Sequence, residues 1–235
     1  MQLCDVRRVD FGWFVRPGDE SPDGQPRLEP VLGYAVAHPE GWLLFDTGMG
    51  RGAEVDAQYR PARRPLPDAL TAAGLRVDDV AHVANCHLHV DHCGGNPDLA
   101  GRPVYVQRTE LDAARSTDGY TQPELVDDPR LTHVELDGET EVLPGLLVLP
   151  TPGHVDGHQS LVVRCDDGTV VLAGQSHEHA SALSTELLVR RAAADRPDDD
   201  APGLPGPAWL DRLLQLDPRR VLFAHDEAVW EPPRR

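Results

Sequence analysis

VAHVANCHLHVDHCGGN, residues 80–96, is the stretch on which the reading of this chain turns. It opens as a short strand, in the apolar run from Val80 to Asn85. It then places His87, His89, Asp91 and His92 within six residues. In extended or turning backbone, side chains two apart project the same way, so His87 and His89 can reach one ion. Asp91 and His92 lie past the strand end, free to turn toward a second position. Imidazole nitrogen and carboxylate oxygen are the donors that zinc and similar cations take, at about 2.0–2.2 Å. The Gly94-Gly95 pair that follows permits close approach of backbone. A histidine-rich surface stretch is the competing reading, but four such donors at a strand terminus seldom arise without a metal.

Working outward, Thr151-Pro152-Gly153-His154 follows the apolar LLVL (146–149), and Phe223-Ala224-His225-Asp226 follows another apolar run. Either one alone is ordinary turn chemistry. With the central motif they put five histidines and one aspartate at strand ends, where a layered sheet fold gathers its functional loops. The remaining apolar runs predict strands at VLGYAVA (31–37), WLLF (42–45), PVYVQ (103–107), SLVVRC (160–165), TVVLAG (169–174) and VLFA (221–224). Asp166-Asp167-Gly168 reads as a hairpin turn, with positive φ tolerated at Asp and Gly. Helical patterns fall at Leu66–Ala73 with Gly74 as its stop, at Thr109–Arg115, at Glu178–Ala194 and at Ala208–Leu216. Residues 16–30 and 195–207, crowded with Pro, Gly and acids, read as surface loops. Mostly antiparallel strands with helices at intervals predict an α+β layered domain, helices outside packed sheets, with residues 1–235 as a single domain.

Composition removes several functions. Against 22 basic residues stand 39 acidic ones, a net charge of −17 that repels a phosphate backbone, so no nucleic-acid partner is expected. No apolar run approaches the roughly 20 residues of a spanning helix, so no membrane partner is expected either. The start, MQLCDVRRVDFGWF, lacks a secretory stretch, and the cysteines at 4, 86, 93 and 165 form no C-x-x-C pair. Reduced thiols in a cytoplasmic protein are the expectation. There is no G-x-S-x-G elbow and no Gly-rich phosphate loop.

With HLHVDHCGGN, TPGHVDGHQSLVV, the Asp46-Thr47-Gly48 turn and a last histidine at 225, the chain resembles the metallo-β-lactamase superfamily over nearly its whole length. The first two stretches are similar to its N-acyl homoserine lactonase-like branch. That resemblance implies a four-layer αββα sandwich with the site at one edge between the sheets. It implies His87, His89 and His154 around a first metal and Asp91, His92 and His225 around a second. Asp46 resembles the acid that holds a ligand imidazole's other N–H, with a plain turn residue as the alternative.

The sequence also departs from the family. Where the superfamily has a bridging aspartate after a strand, this chain has Gln175, a neutral carbonyl donor that leaves one more positive charge uncompensated between two cations. Gln175 and the nearby His177 are further candidate ligands, the latter against a role in capping or solvating the next helix. Three residues beyond the bridging position, where the lactonase branch carries a tyrosine, stands Glu178. His158 reads as a core histidine, Cys86 and Cys93 as small apolar packing, and His38, His82 and His133 carry no assigned role. Arg60, Arg63 and Arg64 are either a solvated charge run or an anion-recognising cluster. Trp13, Phe14, Trp42 and the loop at 16–30 are candidates for one wall of the site.

Cations held by these donors ionise water near neutral pH and polarise a carbonyl, which supports hydrolysis of a small carbonyl substrate, with Asp91 as the catalytic proton shuttle. Lactone ring opening by a metal-bound hydroxide is the leading expectation. A glyoxalase II-like thioesterase, or a non-catalytic metal-binding module with a degenerate bridging position, is the alternative. Imidazole-rich sites suit one or two zinc ions, and iron or manganese can use the same donors. The sequence leaves oligomeric state open.

Overall fold

The computed structural model describes residues 6–21, 23–195 and 206–232. Strand β1 (Val6–Arg16) pairs antiparallel with β2 (Arg27–Val36), and β2 shows how the layers arise. Its Leu32, Tyr34 and Val36 enter one apolar cluster while Val31 and Ala35 enter another. A period of two with apolar residues on both faces belongs to a strand covered on both sides. Next come β3 (Trp42–Phe45), β4 (Ala62–Arg63), β5 (Val80–Ala84), β6 (Pro103–Gln107) and β7 (Thr132–Leu136). They complete a seven-stranded sheet in the order β4-β1-β2-β3-β5-β6-β7. The second sheet holds β8 (Thr140–Leu143), β9 (Leu146–Pro150), β10 (Gln159–Cys165), β11 (Gly168–Leu172) and β12 (Pro218–Leu222), in the order β12-β11-β10-β9-β8.

Between the sheets, Leu43, Phe45 and Ala84 meet Leu146, Val148, Leu161, Val163, Val170 and Leu172, all fully or almost fully buried. Each such Leu or Val stabilises the sandwich by about 1.5–3 kcal/mol relative to leaving it in water. The opposite residues of the same strands face helices. Val162, Val171 and Ala173 pack on α4 (Ala180–Asp195) and α5 (Ala208–Gln215) through Ala180, Leu183, Leu210 and Leu213. On the other side, α1 (Ala53–Tyr59) and α2 (Leu66–Ala72) cover the first sheet through Val55, Leu66 and Leu70, and α3 (Arg108–Ser116) through Leu111 and Ala114. The result is the four-layer αββα sandwich. No helix among the described residues is long and apolar enough to cross a membrane.

Strand direction positions the site. β3, β5, β6 and β7 run parallel, as do β11 and β12, and β9 runs with β11 because each is antiparallel to β10 between them. The loops after β3, β5, β9, β11 and β12 therefore all open at one edge, bringing Asp46, residues 87–92, His154, Gln175 and His225 to the same end of the sandwich. Carboxyl ends of parallel strands are the usual place for ligands in such sheets. Backbone bonds stitch the two sheets there: Gln159 N–H to the Cys86 carbonyl at 2.8 Å and Leu32 N–H to the Ala224 carbonyl at 2.9 Å.

Several sequence expectations are corrected. The first sheet is mixed, with a parallel half, not mostly antiparallel. The loop at 16–30 is shorter, since Arg16 ends β1 and Arg27–Pro30 belong to β2; Asp19, Glu20 and Asp23 are exposed as a surface loop requires, but Arg16 and Glu29, in the flanking strands, form a buried ion pair. The last strand begins at Pro218 and stops at Leu222, and α4 starts at Ala180, leaving residues 177–179 in the loop before it. The Asp166-Asp167 turn connects β10 to β11, with positive φ at Gly168 and at neither aspartate. Of the loop expected at 195–207, residues 196–205 lie outside the described residues, as does Cys4.

Candidate metal centre

The segment after β5 is held by buried polar side chains that set where its imidazoles point. The His92 carbonyl accepts the Thr47 N–H at 2.8 Å and the Asn85 side-chain N–H at 2.9 Å, and Asn96 Nδ2 donates to Asn85 Oδ1 at 2.9 Å. Glu110, fully buried, accepts the Leu88 N–H at 2.7 Å and the Tyr120 hydroxyl at 2.6 Å, fixing the backbone between His87 and His89. Gly94 packs so tightly that a Cβ there would lie 2.1 Å from the backbone of Met49 and Gly50, which is why the glycine pair follows the histidines. Asn85, Asn96 and Glu110 escape a reading of sequence alone. The one signal is a polar residue inside or just after an apolar run.

Two donor clusters result. His87 Nε2 lies 3.0 Å and His154 Nε2 3.2 Å from His89 Nδ1. Beside them, Asp91 Oδ2 lies 3.4 Å from His92 Nε2 and 3.3 Å from His225 Nε2, with the two imidazoles 3.2 Å apart. Each ring nitrogen offers one hydrogen or one lone pair, so three of them at these separations cannot satisfy one another. Their spacing approaches the roughly 3.3 Å between nitrogens that share a tetrahedral ion at about 2.0–2.1 Å. The donor set thus fits a borderline divalent cation at either cluster, and Asp91, His92 and His225 together form one of three metal-competent groups among the described residues. His87, His89 and His154 form another.

Protonation follows burial and neighbours. Burial, reinforced by the surrounding imidazoles, holds His87 well below the usual histidine range. Burial likewise brings His89 down to about 4 and, with His89 and His92 beside it, His154 to about 3. All three are neutral at neutral pH, with lone pairs available. At the other cluster burial alone would lower His92, but the Asp91 and Asp46 carboxylates outweigh it and hold His92 well above its ordinary value. Burial opposes the ionised Asp91 too, yet His92 and His225 keep its carboxyl well below the usual range. A proton there occupies the place a cation would take.

Outer contacts fix ring orientation. Asp46, in left-handed backbone at φ 62°, accepts the His92 Nδ1–H at 3.1 Å through Oδ2 and the Cys86 N–H at 2.8 Å through Oδ1. His225 Nδ1 donates to the Pro30 carbonyl at 2.9 Å, which leaves Nε2 facing Asp91. Such partners set tautomer and ligand basicity. Replacing Asp46 by Asn keeps the shape but removes the charge and one acceptor. Asp46→Asn is therefore expected to weaken metal affinity about 10–100-fold, measured by competition with a chromogenic chelator.

Other residues fall elsewhere. Cys86 is more than apolar packing: its Sγ lies 3.1 Å from His87 Nδ1 and 3.2 Å from His92 Nδ1, behind both rings. The third metal-competent group consists of these three residues. Burial pushes the Cys86 thiol far up, so it is a contact for the imidazole backs and not a thiolate ligand. His158 is the satisfied core histidine expected, its Nδ1 on the Thr151 carbonyl at 3.0 Å and its Nε2 accepting the Gln175 N–H at 3.0 Å. His177 is not brought to either cluster: its Nε2 meets Glu186 at 2.9 Å and its ring packs on Trp209. Gln175 is buried at the cavity, its Nε2 donating to Glu178 at 3.2 Å.

A cavity of about 620 Å³ opens over His89, Asp91 and His154. Of the three aromatic wall candidates only Phe14 reaches it, its ring edge-on to His225 at 5.5 Å. Trp42 instead packs under Arg7, and Trp13 is 43% exposed. Glu20, from the loop after β1, also lines the cavity and binds Gln58 and Tyr59 of α1, so that loop does form a wall. Arg63 and Arg64 are ion-paired with Asp56 and Asp10, and neither of them, nor Arg60, lines this cavity.

Comparison with known proteins agrees with this geometry. Residues 26–225 match the metallo-beta-lactamase superfamily, and the chain belongs to that superfamily. It is 35% identical over 156 residues to the N-acyl homoserine lactonase of Bacillus thuringiensis, a match covering 61% of this chain and 62% of that protein. Its identity to the N-acyl homoserine lactonase AttM of Rhizobium radiobacter is 29% over 166 residues, 61% of this chain and 63% of the relative. These matches thus span less than two thirds of either relative's length. A solved structure of an N-acyl homoserine lactone hydrolase, with the product N-hexanoyl-L-homoserine at its catalytic metal centre, is similar over 97% of this chain and 95% of that one, at 25% identity and a TM-score of 0.70.

Proposed function

We propose that residues 1–235 form one domain that hydrolyses a small carbonyl substrate with divalent metal, opening the ring of an N-acyl homoserine lactone or a close relative. The observation that carries this reading is the pair of three-donor clusters, each of which reaches one cavity, through His89 and His154 from the first and Asp91 from the second. Its volume lies within the range of about 300–1,000 Å³ common for small-molecule sites. The similarity to lactonases of the same superfamily supports the substrate class. His87, His89 and His154 would hold one ion and Asp91, His92 and His225 another, with zinc the best match to this donor set and iron or manganese able to take it. Bound there, the cations supply a Lewis acid for the carbonyl and water that ionises near neutral pH.

The chain's own residues do the rest. Asp91 lines the cavity within 3.3–3.4 Å of His92 and His225, where its carboxylate can take a proton and pass it to the departing alkoxide. Phe14, Val55, Tyr59 and Val90 give an acyl chain an apolar lining. Cys86 and Cys93 sit buried as thiols beside the motif, which suits a reducing, cytoplasmic setting.

A panel of an N-acyl homoserine lactone, a glutathione thioester and a chromogenic ester, assayed with metal analysis, tests the proposal. Lactone turnover at least about tenfold above the thioester in kcat/KM, lost on chelation and restored by Zn²⁺, is expected. A preference for the thioester would favour the glyoxalase II-like alternative, and metal binding without turnover a non-catalytic module.

A further inference from the structure

The bridging carboxylate of the superfamily is missing at 175, yet the residue there is neither loose nor solvent-facing. Gln175 is 3% exposed and lines the cavity with His89, Asp91 and His154. Its backbone is pinned on both sides. The Gly174 carbonyl accepts the Ala224 N–H at 2.9 Å, next to His225, and the Gln175 N–H donates to His158 at 3.0 Å, in the loop that carries His154. Gly174 itself must be glycine, with φ at 56° and a would-be Cβ 2.3 Å from Cys86 Cβ. Residue 175 thus stands between the segments that deliver the last ligand of each cluster.

A glutamine side chain has two ends, and which one faces the cavity decides its chemistry. Glu178 settles this. Its Oε1 lies 3.2 Å from the Gln175 amide, and its Oε2 is ion-paired with Arg27 at 3.1 Å. An ionised carboxylate only accepts, so the amide must turn its NH₂ toward Glu178. The carbonyl oxygen is then the end left for the cavity. Glu178 is fixed in turn by a row of alternating charges: Arg27 to Glu29 at 3.3 Å and Glu29 to Arg16 at 2.8 Å, with Arg16 also lining the cavity.

Resting on the metal-centre reading above, we infer that Glu178 is a positioning residue: it orients Gln175 so that the side-chain carbonyl serves as a neutral oxygen donor toward the more weakly held ion. The acid absent from the bridging position reappears three residues on, acting through the amide.

Co²⁺ binding to the full chain tests this in four proteins: wild type, Glu178→Gln, Gln175→Ala and the double variant. Glu178→Gln is isosteric and leaves Arg27 its contact with Glu29, but it can donate as well as accept and no longer dictates the amide's orientation. It is expected to weaken the second Co²⁺ about tenfold or more, by chelator competition, and to shift the visible cobalt bands. In the Gln175→Ala background the same change should move neither quantity by more than about twofold, because the residue through which it acts is gone. An equal effect in both backgrounds overturns the proposal, as does wild-type affinity and spectrum in Glu178→Gln. Wild-type protein that binds no Co²⁺ at all overturns the metal-centre reading and this inference with it, a failure distinct from either of the others.

Discussion

His89→Ala is expected to abolish the proposed hydrolysis to within background, a loss of at least about 10³-fold in kcat, while circular dichroism and thermal unfolding of the metal-free protein are expected to stay close to wild type. The size of the loss comes from position. His89 Nδ1 is the atom to which both His87 and His154 are nearest, so its removal leaves two nitrogens with no third donor. Removing even one preorganised electrostatic contact to a developing oxyanion costs about 10²–10³ in kcat, and losing an ion loses more than one contact. The fold is spared because His89 is only partly buried and its ring packs on Tyr120 at the cavity edge, not within the sandwich core. The backbone around it is held by Glu110 on Leu88 and by Asn85 on His92, and neither bond involves the imidazole. Activity within tenfold of wild type would remove the whole site assignment, whatever the metal content.

What the sequence made legible follows from where side-chain chemistry is local. The strand runs at 42–45, 103–107 and 146–149 are apolar on both faces, so they stand out without knowledge of partners, and each forms a strand. β1 does not stand out: VRRVDFGWFVR mixes charge with apolar residues, and a register shift between Asp10 and Trp13 breaks its alternation. α1 carries a single buried residue, Val55, in an otherwise polar AEVDAQY, too little to show helical periodicity. Parallel against antiparallel pairing was not legible at all, because direction is set by how the chain returns and not by any one strand.

The same division holds at the site. Histidines and Asp91 announce themselves by residue type and spacing. Their supports do not, because Arg16 and Glu29 are 8% and 6% exposed while looking like loop residues. Burial of a charge depends on a partner that lies 13 positions away. His177 shows the converse error, a residue type suited to metal in a position that faces Glu186 instead.

Gln175→Asp is expected to tighten the more weakly held ion by about tenfold or more and to make its binding more dependent on pH. Two unit charges about 4 Å apart interact by about 4 kcal/mol at an effective dielectric near 20, and a divalent ion doubles that. Desolvation of the new carboxylate and its repulsion by Glu178 act against the gain. Glu178, however, is held on Arg27 at 3.1 Å, and aspartate is a methylene shorter than glutamine, so the two carboxylates need not close on each other. Without metal the new acid shares the floor of the cavity with Asp91, and this repulsion raises its pKa. Proton and cation then compete for the same oxygen, so the gain in affinity is full above that pKa and falls away as pH drops through it. A neutral donor at 175 shows no such slope of its own. Isothermal titration across pH separates the two cases: equal affinities of the two proteins at every pH would mean that charge at 175 does not govern the second ion, and that the centre is balanced by some other group.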